Sequence, residues 1–212
     1  MGKDAIPKNW PPTVPYLSQP SFAPHITKTQ LQALRVCSPD LTASIPANFP
    51  RGPCPLVRII LIGDPSHPAR GQAGLFAARH LEPGTLIVPY YGIIHSSLPP
   101  HSLDHEKSDY DLWLNREVNI AVDAEKAGNE ARFVNDYRGV RERPNAEFKL
   151  CWDARSGQQC TVAVAVFVLP SGKNAPTKAG AGGIAKGAEI LVSYGKGFWS
   201  KRKEENEASV ER

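Results

Sequence analysis

The chain has 212 residues, 41% hydrophobic and 22% charged, the balance of a folded domain with a core rather than of a disordered or fibrous chain. Lys and Arg number 25 against 21 Asp and Glu, a net charge of +4, which tolerates an acidic partner but lacks the concentrated basic face of a dedicated nucleic-acid binder. The longest apolar run, Leu56 to Gly63, is too short to span a bilayer. No apolar leader follows Met1, so the expected compartment is intracellular.

Residues 1–55 hold eleven of the twenty prolines. Proline removes a backbone donor and biases its predecessor toward extended conformations. This stretch is therefore expected to be an extended arm with one short helix near Thr27 to Val36. Trp10, Tyr16, Leu17 and Phe22 should pack part of it on the body. From Leu56 the texture changes. Leu56–Ile62, Gly74–Ala77, Thr85–Tyr91, Asp111–Leu114, Val118–Asp123, 146–152 and 160–169 read as short strands separated by Gly, Pro and Asn turns. The fourth and fifth should pair across Asn115-Arg116-Glu117. Helix is confined to a few turns, one of them near Ala124 to Arg132. Residues 170–186 form a Gly/Ala/Lys/Pro loop expected to be flexible, and 200–212 a charged tail. The resulting division is an arm (1–55), a mainly β domain with few short helices (56–199) and the tail.

Cys37, Cys54, Cys151 and Cys160 form no Cys-x-x-Cys pair, and none of the six histidines is spaced for a metal. Four free thiols, loop or surface histidines and no metal site are expected. A dinucleotide-binding sheet is excluded because Asp64-Pro65-Ser66-His67-Pro68, after the first strand, cannot open a phosphate-cradling helix.

Two separated strings carry the chemistry. The first is Gly128-Asn129-Glu130-Ala131-Arg132-Phe133-Val134-Asn135, followed later by Pro144-Asn145-Ala146. The second is Gly187-Ala188-Glu189-Ile190-Leu191-Val192-Ser193-Tyr194-Gly195, then Phe198-Trp199. Upstream lie Gly74-Leu75-Phe76-Ala77 with Leu81-Glu82-Pro83-Gly84, then Pro89-Tyr90-Tyr91-Gly92, then Tyr110 to Asp123. In this order they resemble the SET domain of protein-lysine methyltransferases, over roughly Leu56 to Trp199. No cysteine-rich zinc module flanks them.

The resemblance implies a SET (β-clip) architecture of small sheets with a C-terminal pseudoknot. It implies S-adenosylmethionine as cofactor, S-adenosylhomocysteine as product, and a lysine-containing protein or peptide as partner. A histone tail and a nuclear setting are the first expectations, with neither membrane nor direct nucleic-acid contact. Oligomeric state is left open. Tyr194 becomes the expected central catalytic side chain, with Tyr90 and Tyr110 lining the lysine channel. Gly74, Leu75, Arg132, Phe133, Asn135, Asp136, Tyr194, Phe198 and Trp199 become the expected cofactor residues. Arg132 is expected to brace a carboxylate such as Glu189. Val192, two before Tyr194, is small enough to leave room for a second methyl group, whereas Tyr90, Tyr91 and Tyr110 in the channel segments point toward a single methyl transfer. Two departures stand out. Asp136-Tyr137 replaces the family's His-Ser, and about five extra residues precede Pro144. The alternative is a catalytically inactive SET-fold module that binds protein.

Overall fold

The computed structural model describes residues 6–155, 161–170 and 182–200. Cys160, most of the expected flexible loop and the tail beyond Ser200 lie outside the described residues.

The elements run β1 (Ser21–Phe22), α1 (Lys28–Leu34), β2 (Ser44–Ile45), β3 (Val57–Leu61), β4 (Ala73–Ala77), β5 (Leu86–Pro89) and β6 (Ile93–Ser96). A 3-10 turn (His101–Asp104), β7 (Asp111–Asn115), β8 (Ile120–Asp123) and a second 3-10 turn (Glu130–Phe133) follow. The order ends with β9 (Asn135–Asp136), β10 (Ala146–Asp153), β11 (Thr161–Val168) and β12 (Leu191–Val192), and residues 196–200 are helical. The fold is mainly β, as expected. Two four-stranded sheets, ordered β1-β6-β8-β7 and β2-β10-β11-β5, accompany two pairs, β3-β4 and β9-β12.

All four residues of β8 are buried, and β11 is buried over its last five. Such Val- and Ala-rich strands suit a position covered on both faces. Ile120 and Val122 of β8 and Val162, Val164, Val166 and Val168 of β11 join Leu75, Ile87, Val88, Ile190 and Val192 in one core, while Ala165 and Phe167 on the other face of β11 pack with Ile45 and Cys151. The paired strands predicted across Asn115-Arg116-Glu117 are β7 and β8, antiparallel with an irregularity at Trp113/Asn115.

The arm is extended and packed. Its helix α1 opens with a capping box, in which Thr27 Oγ1 accepts from the Gln30 N–H and Gln30 Oε1 accepts from the Thr27 N–H. The buried Gln30 amide donates to the Val118 carbonyl at 3.0 Å, fastening the helix to the β7–β8 turn. Earlier in the arm, the Leu17 N–H donates to the Gly128 carbonyl and the Gly128 N–H to the Pro15 carbonyl.

This pairing explains one correction. The helix expected near Ala124 to Arg132 is absent, and only Glu130–Phe133 form a 3-10 turn. The backbone groups a helix would use are taken elsewhere. The Ala124 and Glu125 carbonyls accept from the Arg132 guanidinium, and both polar groups of Gly128 go to the arm. A Cβ at Gly128 would stand 3.0 Å from the Tyr91 carbonyl oxygen, so the glycine serves a tight strand-to-loop contact.

A second correction concerns the histidines. His95 is 1% exposed and stacks on His105 with centroids 3.5 Å apart, while His25 stacks on His101 at 3.7 Å. The periodicity of short strands gave no hint of this cluster, because its members come from the arm, β6 and the segment before β7. His95 Nδ1 faces the Ser96 carbonyl at 3.1 Å and its Nε2 faces Asp111 Oδ1 at 2.9 Å. Only the imidazolium satisfies two acceptors with two N–H groups. Burial opposes that charge, but the hydrogen bond and charge of Asp111, the Ser96 carbonyl and the charge of Asp123 outweigh it and raise the pKa. His25 Nε2 instead accepts from the Ser96 N–H at 3.2 Å. Burial, with the charges of His101, His95 and His105, lowers its pKa.

The signs follow from linkage. The stabilisation from His95 is full below about pH 6.5 and fades as pH rises through its raised folded value. That from His25 is full above about pH 6.5 and fades as pH falls through its lowered value. Asp111→Asn should drop the His95 midpoint below the usual histidine value while leaving His25 low. Imidazole titration by NMR measures both, and an unmoved His95 midpoint would contradict the pairing.

Candidate active site

Strands β9 and β12 are only two residues each, yet they bring the two signature strings together. They pair in parallel, Leu191 with Asn135 and Val192 with Asp136. Asn145, from the Pro144-Asn145 part of the first string, completes the contact. Its Nδ2 donates to the Glu189 carbonyl and its Oδ1 accepts from the Leu191 N–H, both at 2.8 Å. The Tyr137 N–H adds a bond to the Val192 carbonyl. Residues 135–145 thus clasp 189–192.

Asp136 anchors the chain beyond the clasp. Its carboxylate is buried and accepts from the Tyr194 N–H at 2.7 Å, the Trp199 indole N–H at 3.3 Å, and both the backbone N–H (2.9 Å) and Nη1 of Arg138. A neutral histidine, which the pattern this sequence resembles carries at that place, has one acceptor nitrogen and could not receive this set. The departure is therefore structural, and it places Tyr194 and Trp199.

Two cavities adjoin the clasp. The first, about 470 Å³, is lined by His67, Gln72, Ala73, Phe133, Asn135, Asp136, Arg138, Phe198 and Trp199, among others. The second, about 510 Å³, is lined by Tyr90, Leu112, Trp113, Val134, Phe148 and Ser193, among others. Asp109, Tyr110, Arg132, Tyr194 and Phe198 line both. Tyr194 thus stands at the junction, edge-on to Phe198 at 4.8 Å. Its hydroxyl donates to the Val134 carbonyl at 2.8 Å. Burial, then the negative charge that neighbouring Tyr110 and Asp136 carry when ionised, push its pKa up. Burial does the same to Tyr90, whose hydroxyl donates to the Tyr110 carbonyl at 2.7 Å. Both phenols stay protonated at neutral pH, so each keeps oxygen lone pairs as acceptors and neither is a proton-abstracting phenolate.

Of the residues singled out from sequence, Tyr90, Tyr110, Arg132, Phe133, Asn135, Asp136, Tyr194, Phe198 and Trp199 line one or both cavities. Gly74 and Leu75 do not. They lie on β4, whose first residue Ala73 is at the wall, and Leu75 is fully buried core. Tyr91 also turns away, with its ring 5.4 Å from the Arg155 guanidinium, and Val192 is buried in the core.

Arg132 does not brace Glu189. Its guanidinium donates to the Ala124 and Glu125 carbonyls and sits 4.6 Å from the Tyr110 ring centre, a cation–π contact that fixes that ring. Glu189 is taken by Asn135 and His67. Sequence reasoning missed His67, Gln72, Asp109 and Arg138. His67 was invisible because it reaches the site across 122 positions. Arg138 could have been found from Asp136, since a buried carboxylate needs a nearby partner.

Among the described residues no group of His, Cys, Asp and Glu is arranged to hold a metal, no helix is long and apolar enough to cross a membrane, and Cys37, Cys54 and Cys151 are free thiols. Asp136→Ala should cost about 1–3 kcal/mol, because buried donors lose their acceptor. Urea unfolding measures this, and a loss under about half a kcal/mol would show the carboxylate to be dispensable.

Two solved structures similar to this chain are the Chaetomium thermophilum Polycomb Repressive Complex 2 with a bound inhibitor and ctPRC2 in an autoinhibited conformation bound to S-adenosylmethionine. Each is 22% identical with a TM-score of 0.45, over 70% of this chain and 17% of the other. The match therefore takes in a small part of much longer chains. No curated protein matches. The SET domain family model matches residues 72–169, which hold β4 through β11, the first signature string and most of the residues at the walls of both cavities. Residues 72–169 of this chain thus resemble a SET domain.

Proposed function

We propose that this chain is an S-adenosylmethionine-dependent protein-lysine N-methyltransferase. A histone tail is the first substrate class to test, and the nucleus the first location. The observation that carries the reading is the position of Tyr194, where a cavity of about 470 Å³ meets one of about 510 Å³.

The first cavity suits the cofactor. Its walls combine the guanidinium of Arg138, the carboxylates of Asp109 and Asp136, the Asn135 amide and the rings of Phe133, Phe198 and Trp199. That set matches a ligand carrying an amino-acid zwitterion, a cation and a flat base. When bound, S-adenosylmethionine supplies an activated methyl group. Phe198 and Trp199, edge to face at 5.4 Å, would cover it without a zinc module.

The second cavity suits the lysine side chain, with Tyr90, Leu112, Val134 and Phe148 around an aliphatic stem. Free lysine has a pKa near 10.4, and apolar surroundings lower it. The amine therefore enters charged and must lose its proton before attack. Because the Tyr194 and Tyr90 hydroxyls donate to carbonyls, their oxygens are left to accept an amine N–H and aim the nitrogen lone pair. Alignment of this kind supplies much of the rate in a methyl transfer. Tyr90 and Tyr110 at the channel wall favour a single methyl product, although Tyr91 and Val192 take no part in lining it. The clasp of 135–145 around 189–192 supports a threaded C-terminal segment. The bonds from residues 15–17 to Gly128 support an arm that belongs to the catalytic unit.

Titration with S-adenosylmethionine should show saturable binding. Tyr194→Phe should then lower turnover about a hundredfold while changing cofactor affinity little, because the lost hydroxyl acts on alignment rather than on ground-state binding. Turnover at the wild-type rate would remove Tyr194 from the mechanism, and absent cofactor binding would favour the inactive binding module. Mass spectrometry of a methylated histone-tail peptide gives the methyl count, with a dominant trimethyl product refuting single transfer.

A further inference from the structure

His67 and Asn135 at the wall of the first cavity and Glu189 beside them, from distant segments, form a chain of directed hydrogen bonds. Asn135 Nδ2 donates to Glu189 Oε1 at 2.8 Å, His67 Nε2 lies 2.9 Å from Glu189 Oε2, and the Ala69 N–H donates to His67 Nδ1 at 3.0 Å. The His67 and Glu189 side chains are 9% and 7% exposed, so water is a poor substitute for any of these partners.

The polarity of this chain is determined from one end. A backbone N–H can only donate, so Nδ1 of His67 must accept and carries no proton. The ring proton is then on Nε2, which donates to Glu189. An ionised carboxylate only accepts, so Glu189 takes one donor on each oxygen. Asn135 must therefore turn its NH2 toward Glu189, and its carbonyl oxygen is fixed on the other side. The space for this pair comes from Gly74. A Cβ there would lie 2.6 Å from Glu189 Oε1 and 3.1 Å from Asn135 Nδ2. Glu189 itself is held through its backbone, with its carbonyl accepting from Asn145 and the neighbouring Ile190 N–H bonded to the Leu75 carbonyl.

We propose that His67 and Glu189 are positioning residues that set which end of the Asn135 amide meets the cofactor. The inference rests on the cofactor reading given above for this cavity. It also gives Gly74 a role other than direct cofactor contact, since the glycine makes room for the carboxylate–amide pair.

The polarity argument dictates the test. Gln in place of Glu189 keeps the shape but offers one acceptor and one NH2. Whichever way it turns, a donor faces a donor, at His67 or at Asn135. His67 cannot relieve the conflict by moving its proton to Nδ1, because that nitrogen faces the Ala69 N–H. Glu189→Gln should therefore weaken S-adenosylmethionine binding about tenfold. His67→Gln alone keeps an NH2 toward Glu189 and should lose less affinity than Glu189→Gln. The double variant His67→Gln with Glu189→Gln should return to within about threefold of wild type. There the amide carbonyl introduced at position 67 accepts from the NH2 introduced at position 189, whose own carbonyl accepts from Asn135.

Calorimetric titration of the four proteins with S-adenosylmethionine reads the affinities. Nitrogen-15 NMR of the wild type reads the His67 tautomer without any ligand. Wild-type affinity in Glu189→Gln, or a double variant no better than Glu189→Gln, overturns the proposal, and so does an Nδ1–H tautomer. If Glu189→Gln does not fold, the double variant must recover both folding and binding, and failure to do so also overturns it. A wild type that shows the Nε2–H tautomer but does not bind S-adenosylmethionine overturns the cofactor reading and leaves the polarity of the chain standing.

Discussion

The arrangement of the site turns on one buried carboxylate. Asp136 ends β9, and its two oxygens gather the backbone of Tyr194, the indole of Trp199 and both ends of Arg138. Without it, the chain leaving β12 would lose the bonds that hold the Tyr194 backbone and the Trp199 indole, and would keep the Tyr194 hydroxyl bond to the Val134 carbonyl. A pair of strands that short has little stability of its own. The carboxylate turns a weak crossing into a fixed one. Burying that charge is tolerable only because four donor groups surround it. The same group of bonds sets the floor of one cavity and the position of the phenol at its junction with the other.

A second buried carboxylate does comparable work on the far side of the first string. Glu130 accepts from the Tyr16 hydroxyl and from the Cys54 N–H at 2.8 Å, joining the arm and the approach to β3 at the turn that presents Arg132 and Phe133. Burial raises its pKa despite those bonds. Trp10 packs edge-on against Phe133 at 5.6 Å and against Tyr16 at 5.1 Å. The stretch from Trp10 to Tyr16 is thus a buttress, extended because its prolines disfavour helix, and held by a few aromatic and polar contacts. Phe133 faces the first cavity on one side and this buttress on the other.

The sequence disclosed most of the β3–β5, β7–β8 and β10–β11 ladder, because β3, β5, β8 and β11 are rich in Val and Ile and Gly, Pro or Asn residues punctuate the chain between the runs. It did not disclose β6. Ile93-Ile94-His95-Ser96 looks like a strand end, and only the imidazole stack and Asp111 make its polar half burial-tolerant. The two-residue strands were also illegible as strands, since they exist through pairing partners far away in the chain. For the site, the ordered strings located nine of the eleven singled-out positions at the cavity walls. The two exceptions, Gly74 and Leu75, lie one and two places inside the strand whose end reaches the wall. The partner of Glu189 was assigned to the wrong residue because charge alone suggested arginine. In the folded chain, the carbonyls of Ala124 and Glu125 had already claimed Arg132, leaving a histidine from the β3–β4 loop to fill the place.

The bonds that build the site join positions far apart in the chain: Asp136 to the Tyr194 N–H across 58 and Val134 to the Tyr194 hydroxyl across 60. The entropic cost of closing such a loop grows only with the logarithm of its length, about 0.6 kcal/mol for each doubling. Once the two ends are fastened by buried polar contacts, the loop length in the span between them is nearly free to vary, while β10 and β11 stay fixed by the core. The Gly/Ala/Lys/Pro stretch after β11 occupies that span. Evolution can lengthen or shorten it at a cost far smaller than that of losing a single bond to Asp136.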